Sequence, residues 1–388
     1  SGKSRIILQT ALNQFGDEPG LVILVFPSLA LISQFRLGYV ENKDWREAFP
    51  ELDDIETLSV CTEQESTTDH DTIREFLEES YQSIVCVTYA SFKLLSDFVK
   101  EVGVEIDMIM YDEAHHVVGE QFQQFVFDNE LARQQLFFTA TPKNESGIVM
   151  YSEDGDGVCG PLAYEYTYFE GLQDGYLNAF DVHIDMYLEN TRNSQYAAVA
   201  RAVLSTGNNR VLTFHTRVSS TDEGTSTSVI DFCDYDEFLE TFRMVQKEEF
   251  PDSKYGKIRM TGLTANTKDR IQILKDFHDC SDDEIYVLSS CMTIGEGVDT
   301  KNANMCVFID PKTSYVQIIQ NIGRIVRKEY GVEKPHSSIL IPCWVDASKY
   351  ENAHTVEEKD AVLRQEMNKG GNYNSILNVM SALKQEDE

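Results

Sequence analysis

The sequence has no run of about 18 apolar residues, the length a membrane-spanning helix needs; its longest apolar stretch is Leu21 to Phe26. It also has no Cys-x-x-Cys pair. The eight cysteines (Cys61, Cys86, Cys159, Cys233, Cys280, Cys291, Cys306, Cys343) are scattered, with no histidine cluster beside them. That spacing offers no zinc framework and reads as free thiols in a reducing compartment. Basic residues are scarce, with 33 Lys and Arg against 65 Asp and Glu, a formal net charge of -32. Such a balance excludes a broad basic coat for nonspecific nucleic-acid binding, although a narrow track needs only a local field. An initiator methionine is missing as well, since the chain opens Ser1-Gly2-Lys3-Ser4. It therefore reads as a fragment in which any upstream targeting segment would be invisible.

What is present is ordinary globular material: 388 residues, 42% hydrophobic and 25% charged. That is enough chain for two domains, each with its own core. The stretch Met108-Ile109-Met110-Tyr111-Asp112-Glu113-Ala114-His115-His116 organises the first half. It begins as a buried parallel strand and ends in two carboxylates and two histidines. An apolar strand delivering Asp-Glu at its carboxyl end can hold magnesium and position a water. A core strand running into a solvated acidic turn would look the same in isolation.

Its neighbours bear on the choice. Gly2-Lys3-Ser4 runs into the helical pattern Arg5 to Leu12, as the tail of a phosphate-binding loop does. In such a loop the backbone amides at the helix start cradle phosphates, the lysine reaches the β- and γ-phosphates and the hydroxyl holds magnesium. Leu21 to Phe26 is a strand stopped by Pro27-Ser28, with a helix from Leu29 to Leu37. Acidic, turn-rich sequence then reaches Asp71, with a short strand at Thr57 to Cys61. Ile84 to Thr88 is the next strand, followed by Tyr89-Ala90-Ser91-Phe92. Beyond the acidic stretch come a helix near Glu120 to Phe127 and a strand, Gln135 to Phe138, running into Thr139-Ala140-Thr141-Pro142. Strands alternating with helices predict a parallel α/β sheet whose functional loops lie at the strands' carboxyl ends.

The order of these segments resembles a known family. G-K-S, P-S-L-A-L-I-S-Q-F, V-T-Y-A-S-F, D-E-A-H and T-A-T-P are similar to the first motor domain of superfamily 2 helicases. The D-E-A-H-H and P-S-L-A-L stretches resemble the helicase subunit of type III restriction enzymes. Five motifs in sequence are far more specific than any one of them.

In the second half Asp154-Gly155-Asp156-Gly157 marks a turn, Tyr164 to Tyr168 alternates as a strand does, and the domain boundary is expected near Tyr176 to Asp185. A second α/β series begins at Val211 to His215. It continues with a Ser/Thr/Gly-rich insertion from Ser219 to Ser228, a helix from Asp236 to Glu249 and a strand from Lys257 to Thr261. A helix from Thr267 to Phe277 and strands Ile285 to Ser290 and Met305 to Asp310 follow, then a helix from Ser314 to Lys328 and a strand from Ser338 to Ile341. Gln320-x-x-Gly323-Arg324-x-x-Arg327 falls on that last helix, with the two arginines three apart and so on one helical face. A solvated basic face would use the same spacing. The sequence resembles the sixth superfamily 2 motif, and Gly295-Glu296-Gly297-Val298-Asp299 resembles the fifth.

The polar, helically patterned sequence at 346–388 reads as a short helical tail with a last helix from Asn374 to Lys384. The resemblance implies an α/β fold of two tandem RecA-like P-loop domains with parallel sheets, at 1–180 and 181–345. It implies ATP and Mg2+ as cofactors, with Gly2, Lys3, Ser4, Asp112 and Asp299 on the nucleotide and Ser4 and Asp112 on the metal. Glu113 would polarise the attacking water, Gln320 would lie near the γ-phosphate, and Arg324 and Arg327 would act as arginine fingers when the cleft closes. His115, Thr139 and Thr141 resemble coupling positions, while Ser28, Thr88, His215, Thr216 and Thr261 resemble contacts to the phosphates of DNA or RNA. His116 has no implied role beyond packing or capping.

The implied function is an ATP-dependent nucleic-acid helicase, with further domains or subunits beyond the fragment and an intracellular location. A double-strand translocase that moves without unwinding shares every motif. A motor-dead, ATP-gated binding protein is a third reading, against which the intact Lys3, Asp112, Glu113, Arg324 and Arg327 argue. Two departures stand out: Ser290-Cys291 precedes the fifth motif where many relatives have a threonine, and no adenine-recognising segment precedes the G-K-S.

Overall fold

The computed structural model describes residues 2–16, 18–61, 67–118, 131–142, 150–151, 159–187, 191–219, 228–264, 266–291, 300, 302–310, 314–328, 333–344, 347–367 and 379–381. The chain divides into two compact units, Ser1–Ala163 and Tyr164–Glu388. The division falls upstream of the expected crossover.

The first unit opens with α1 (Lys3–Phe15), then β1 (Gly20–Phe26), α2 (Leu29–Phe35), a π-helical turn over Arg36–Val40, and α3 (Lys43–Ala48). After β2 (Glu56–Val60) come α4 (His70–Glu79), β3 (Gln82–Thr88), α5 (Tyr89–Val102), β4 (Ile106–Tyr111), a 3-10 turn at Ala114–Val118 and β5 (Ala132–Phe137). The sheet order is β2-β3-β1-β4-β5, with every pairing parallel. Parallel sheets need cover on both faces, and β1 shows how this sequence supplies it. Ile23 and Val25 join one core with Ile73, Leu77, Phe92 and Leu95 of α4 and α5. Val22, Leu24 and Phe26 join the other with Ile7, Leu8 and Ala11 of α1 and Ile32 and Phe35 of α2. Each such aliphatic side chain taken fully from water contributes roughly 1.5–3 kcal/mol. Gly20 is required by close approach: a Cβ there would lie 3.0 Å from both Asp107 Oδ2 and Phe15 Cδ1.

The second unit contains α6 (Tyr168–Gln173), β6 (Phe180–Tyr187), α7 (Arg192–Thr206), β7 (Arg210–Phe214), α8 (Val229–Phe232), α9 (Tyr235–Glu249) and β8 (Ile258–Leu263). It continues through α10 (Arg270–His278), β9 (Ile285–Ser290), β10 (Met305–Phe308), α11 (Tyr315–Ile325) and β11 (Ser337–Trp344), with a tail of α12 (Ala347–Glu351) and α13 (Val356–Met367). Its sheet order is β6-β11-β10-β7-β9-β8, again parallel throughout. Side chains alternate between two cores here too: Leu212, Leu288 and Cys306 on one face, Val211, Val287 and Val307 on the other.

Several local expectations are corrected. Tyr164 to Tyr168 is not a strand: Tyr164 is 71% exposed and the chain turns helical at Tyr168. The alternation is of tyrosines with polar residues, and it pairs with no strand among the described residues. α7 was not foreseen, because Tyr196 to Ala200, Ala202 and Val203 are all buried, which erases the one-sided stripe that marks a surface helix. The helices expected at Glu120 to Phe127 and, except for residues 379–381, at Asn374 to Lys384, and the turn at Asp154 to Gly157, lie outside the described residues.

Candidate functional site

In both sheets the strand order reverses at a switch point, the place where open α/β sheets bind ligands beyond the strands' carboxyl ends. In the first unit the switch lies between β1 and β4, and Asp112 and Glu113 leave β4 there. α1 begins at Lys3 behind Gly2, whose φ of 76° places the cap in the left-handed region. The first-turn amides of this 13-residue helix have no intrahelical acceptors, so Lys3 and Ser4 start an anion-binding end.

Lys3 Nζ donates to Glu113 Oε1 at 2.6 Å and lies 3.8 Å from Asp112 Oδ1. Glu113 has φ 49°, alone among the described non-glycine residues in having a positive value. Such a backbone costs about 1–3 kcal/mol unless its surroundings impose it, and here they do. Asp112 N donates to Val25 O at 2.9 Å, Ala114 N to Phe138 O at 2.8 Å, and Glu113 N to Asp112 Oδ1 at 3.0 Å. Tyr89 Oη donates to the Asp112 carbonyl at 2.9 Å. The turn is therefore tied to β1, to the end of β5 and to α5, and the carboxylates are held where they leave the sheet.

Burial raises the Glu113 pKa, but the Lys3 ammonium outweighs it by charge and by hydrogen bond, with His115 and His116 adding to the effect. The net direction is below the ordinary 4.5, so the group is ionised at neutral pH. Its other oxygen, Oε2, is buried and makes no hydrogen bond, although His115 Nδ1 lies 3.5 Å away. A buried carboxylate oxygen with spare lone pairs fits a bound water. The Asp112 carboxylate is a hard oxygen donor of the kind Mg2+ takes, and the Ser4 hydroxyl in the first turn of α1 is another, so these residues fit a magnesium–nucleotide.

His115 Nδ1 also lies 3.2 Å from Thr139 Oγ1. The Thr139 hydroxyl donates to Thr141 O at 3.1 Å and accepts from Thr141 N at 3.0 Å. Lys3, Glu113, His115 and Thr139 thus follow one another toward a fully buried Thr141, hydrogen-bonded at every step except between Glu113 and His115. The His116 ring centroid sits 4.4 Å from that of His115 and 6.1 Å from that of Tyr89, so it packs between them. Tyr89 is the residue that sequence reasoning missed. It stood inside the V-T-Y-A-S-F motif, but nothing local shows that its hydroxyl reaches Asp112.

In the second unit Gln320 and Arg324 lie on α11, with Arg324 only 7% exposed. Arg327 does not share their helix, a correction to the expected Ser314–Lys328 span. α11 ends at Ile325, and Arg327 forms an antiparallel bridge with Leu177. The residues on that side take the carbonyls that another turn of helix would have used, Asn178 N bonding Val326 O at 2.7 Å. Asp299 lies outside the described residues.

The expected nucleic-acid contacts scatter. Ser28 precedes α2 in extended backbone, and its hydroxyl is buried without a hydrogen bond. Thr88 is the N-cap of α5 and accepts from Ser91 N. His215 is fully buried: its Nε2 lies 3.1 Å from Thr213 Oγ1 and its ring centroid 4.9 Å from that of Phe232. The His215 side chain has no exposed surface. Thr216 is exposed and binds Asp310 Oδ2 through N at 2.7 Å and Oγ1 at 2.9 Å, while Thr261 Oγ1 sits 3.1 Å from Tyr286 Oη.

Residues 1–144 match the family described as type III restriction enzyme, res subunit, and residues 196–329 match the helicase conserved C-terminal domain. Together the two matches give the chain the domain pair of a helicase motor core. This helicase core is 28% identical over 296 residues to a probable helicase of African swine fever virus (isolate Tick/Malawi/Lil 20-1/1983), a match that covers 73% of the chain and 30% of the viral protein. It thus spans a minor part of the curated relatives it matches. The fold resembles that of the ATP-dependent type ISP restriction-modification enzyme LlaBIII bound to DNA, with a TM-score of 0.71 and 19% identity over 99% of this core and 28% of that chain. It also resembles a nuclease-deletion mutant of the type ISP enzyme LlaGI in complex with a DNA substrate mimic, at TM-score 0.60 and 19% identity, covering 98% of this core and 26% of that chain. No helix among the described residues of the core is long and apolar enough to cross a membrane.

Proposed function

We propose that this core is the ATP-hydrolysing motor of a DNA helicase that converts each turnover into movement along a strand. The observation that carries the proposal is the Lys3–Glu113–Asp112 cluster at the β1/β4 switch point, with one buried Glu113 oxygen still able to accept a hydrogen bond. Magnesium, when bound with ATP, would neutralise phosphate charge and draw electrons from the γ-phosphorus. Ser4 and Asp112 are the residues that would hold it. Lys3 would leave Glu113 for the phosphates, freeing the carboxylate to orient water and take its proton. Arg324 and Arg327 are the proposed arginine fingers and Gln320 the proposed γ-phosphate sensor. His115, Thr139 and Thr141 are proposed to pass the state of Glu113 on to the strand-binding surface, for which Ser28, Thr88, His215, Thr216 and Thr261 are the candidates.

A second reading, movement along duplex DNA without strand separation, is favoured by the likeness in fold to LlaBIII bound to DNA and to LlaGI in complex with a DNA substrate mimic. ATP turnover with single-stranded DNA, duplex DNA and RNA, run beside fork-unwinding and triplex-displacement assays, tests both. Unwinding supports the first reading, and triplex displacement without unwinding replaces it with the second. Turnover that no nucleic acid stimulates would sink them together.

A further inference from the structure

Resting on that reading of Arg327, we propose that Lys334 is a positioning residue that fixes the arginine-bearing segment at the end of α11. Lys334 Nζ donates to three main-chain carbonyls: Ala303 O at 2.6 Å, Ile325 O at 2.7 Å and Arg327 O at 3.1 Å. An ammonium has three protons, and these acceptors take all of them. Ile325 is the last residue of α11 and Arg327 the finger itself, so two of the three bonds grip the backbone on either side of Val326.

The place suits a cation, because the final carbonyls of a helix lack intrahelical donors and carry the negative end of its dipole. The third bond, to Ala303, ties this exit to the segment that leads into β10. The arginine segment is thereby held to the strand that precedes its own helix. Other groups complete the clamp: Ser337 Oγ donates to Ile325 O at 2.6 Å, and Asn178 Nδ2 to Pro335 O at 2.5 Å.

Because all three of these partners are main-chain carbonyls, what Lys334 fixes through them is backbone. Burial, with the Arg210 charge adding to it, pulls the ammonium down to about 8. The three carbonyls act the other way, since they stabilise the protonated form.

The test is steady-state ATP hydrolysis by Lys334→Met, Lys334→Arg, Arg327→Ala and the double variants, with thermal melts of each. Misplacing a catalytic group by about 1 Å costs up to ~10²-fold. Lys334→Met is therefore expected to lower kcat roughly ten- to a hundredfold with KM for ATP nearly unchanged. Lys334→Arg keeps the charge, but its planar fork cannot meet three converging carbonyls, so it should lose less. Should the Met variant fail to fold, the Arg variant carries the test. In the Arg327→Ala background either change should add nothing, because a residue that acts through Arg327 has nothing left to position. Full kcat in both Lys334 variants, or losses that add to that of Arg327→Ala, would overturn the positioning role while leaving the motor reading intact. No loss at Arg327→Ala would overturn both.

Discussion

Where β1 and β4 part at the carboxyl edge of the first sheet, the residues are Asp112, Glu113 and His115, with Lys3 facing them from α1. Where β7 and β10 part in the second sheet, Thr216 and Asp310 close on each other with two hydrogen bonds. Behind them Thr213, His215 and Ser289 form a buried hydrogen-bonded network. The same topology is thus used in two ways. The first unit imposes a left-handed backbone on Glu113 and leaves a buried carboxylate oxygen without a hydrogen bond. The second spends the polar groups at its switch point on one another and carries its candidate chemistry on α11 and the residues just after it. Strain and unmet hydrogen-bonding capacity mark a site for chemistry, whereas mutual satisfaction marks a site for stability.

That contrast can be broken experimentally. The largest effect is expected from Arg327→Ala, which should slow hydrolysis about 10³-fold or more if it serves as a finger. Nucleotide affinity measured by direct titration should change far less, and equal losses in rate and affinity would reduce Arg327 to a binding residue. Next comes Glu113→Gln, for which DNA-stimulated turnover should fall by about 10²- to 10⁴-fold while ATP still binds.

The same variant sharpens the electrostatics. A carboxylate held below its ordinary pKa adds stability that is fully present above 4.5 and lost as pH falls through the lower folded value. Glu113→Gln should therefore flatten the acid side of the stability curve below about pH 4.5 in thermal melts, and an unchanged acid slope would contradict the Lys3 pairing. The smallest effect belongs to Thr213→Val in the second unit. It removes a hydroxyl that donates to Ser289 Oγ at 2.8 Å, which should cost roughly 1–3 kcal/mol of stability. kcat should be unchanged at a temperature where the protein stays folded. A rate loss there without a drop in Tm would erase the distinction between the two edges.

Much of this was legible in the chain. β1, β3, β4 and β9 are near-continuous apolar runs, and a parallel sheet covered on both faces demands such runs. The helix start at Gly2-Lys3-Ser4 and the Asp112-Glu113 pair were visible because the chemistry they are proposed to serve fixes both residue type and spacing. α7 was invisible for the opposite reason, since burial on most sides removes periodicity. The extent of α11 was misjudged because Arg324 and Arg327 have helical spacing, while the groups that end the helix, Asn178, Lys334 and Ser337, lie far away in sequence or beyond Arg327.

The sequence by itself determined the fold class, the order of the motifs and the identity of the charged groups. These follow from local patterns of polarity and from residue chemistry, which need no knowledge of distant neighbours. Only the tertiary structure decided that Glu113 pairs with Lys3, 110 positions away, and that Tyr89 anchors Asp112. It also buried His215 and set Arg327 beyond its helix beside Lys334. Each of those outcomes depends on which backbone group finds which partner across the fold, and hydrogen-bond geometry between remote segments leaves no trace in sequence spacing.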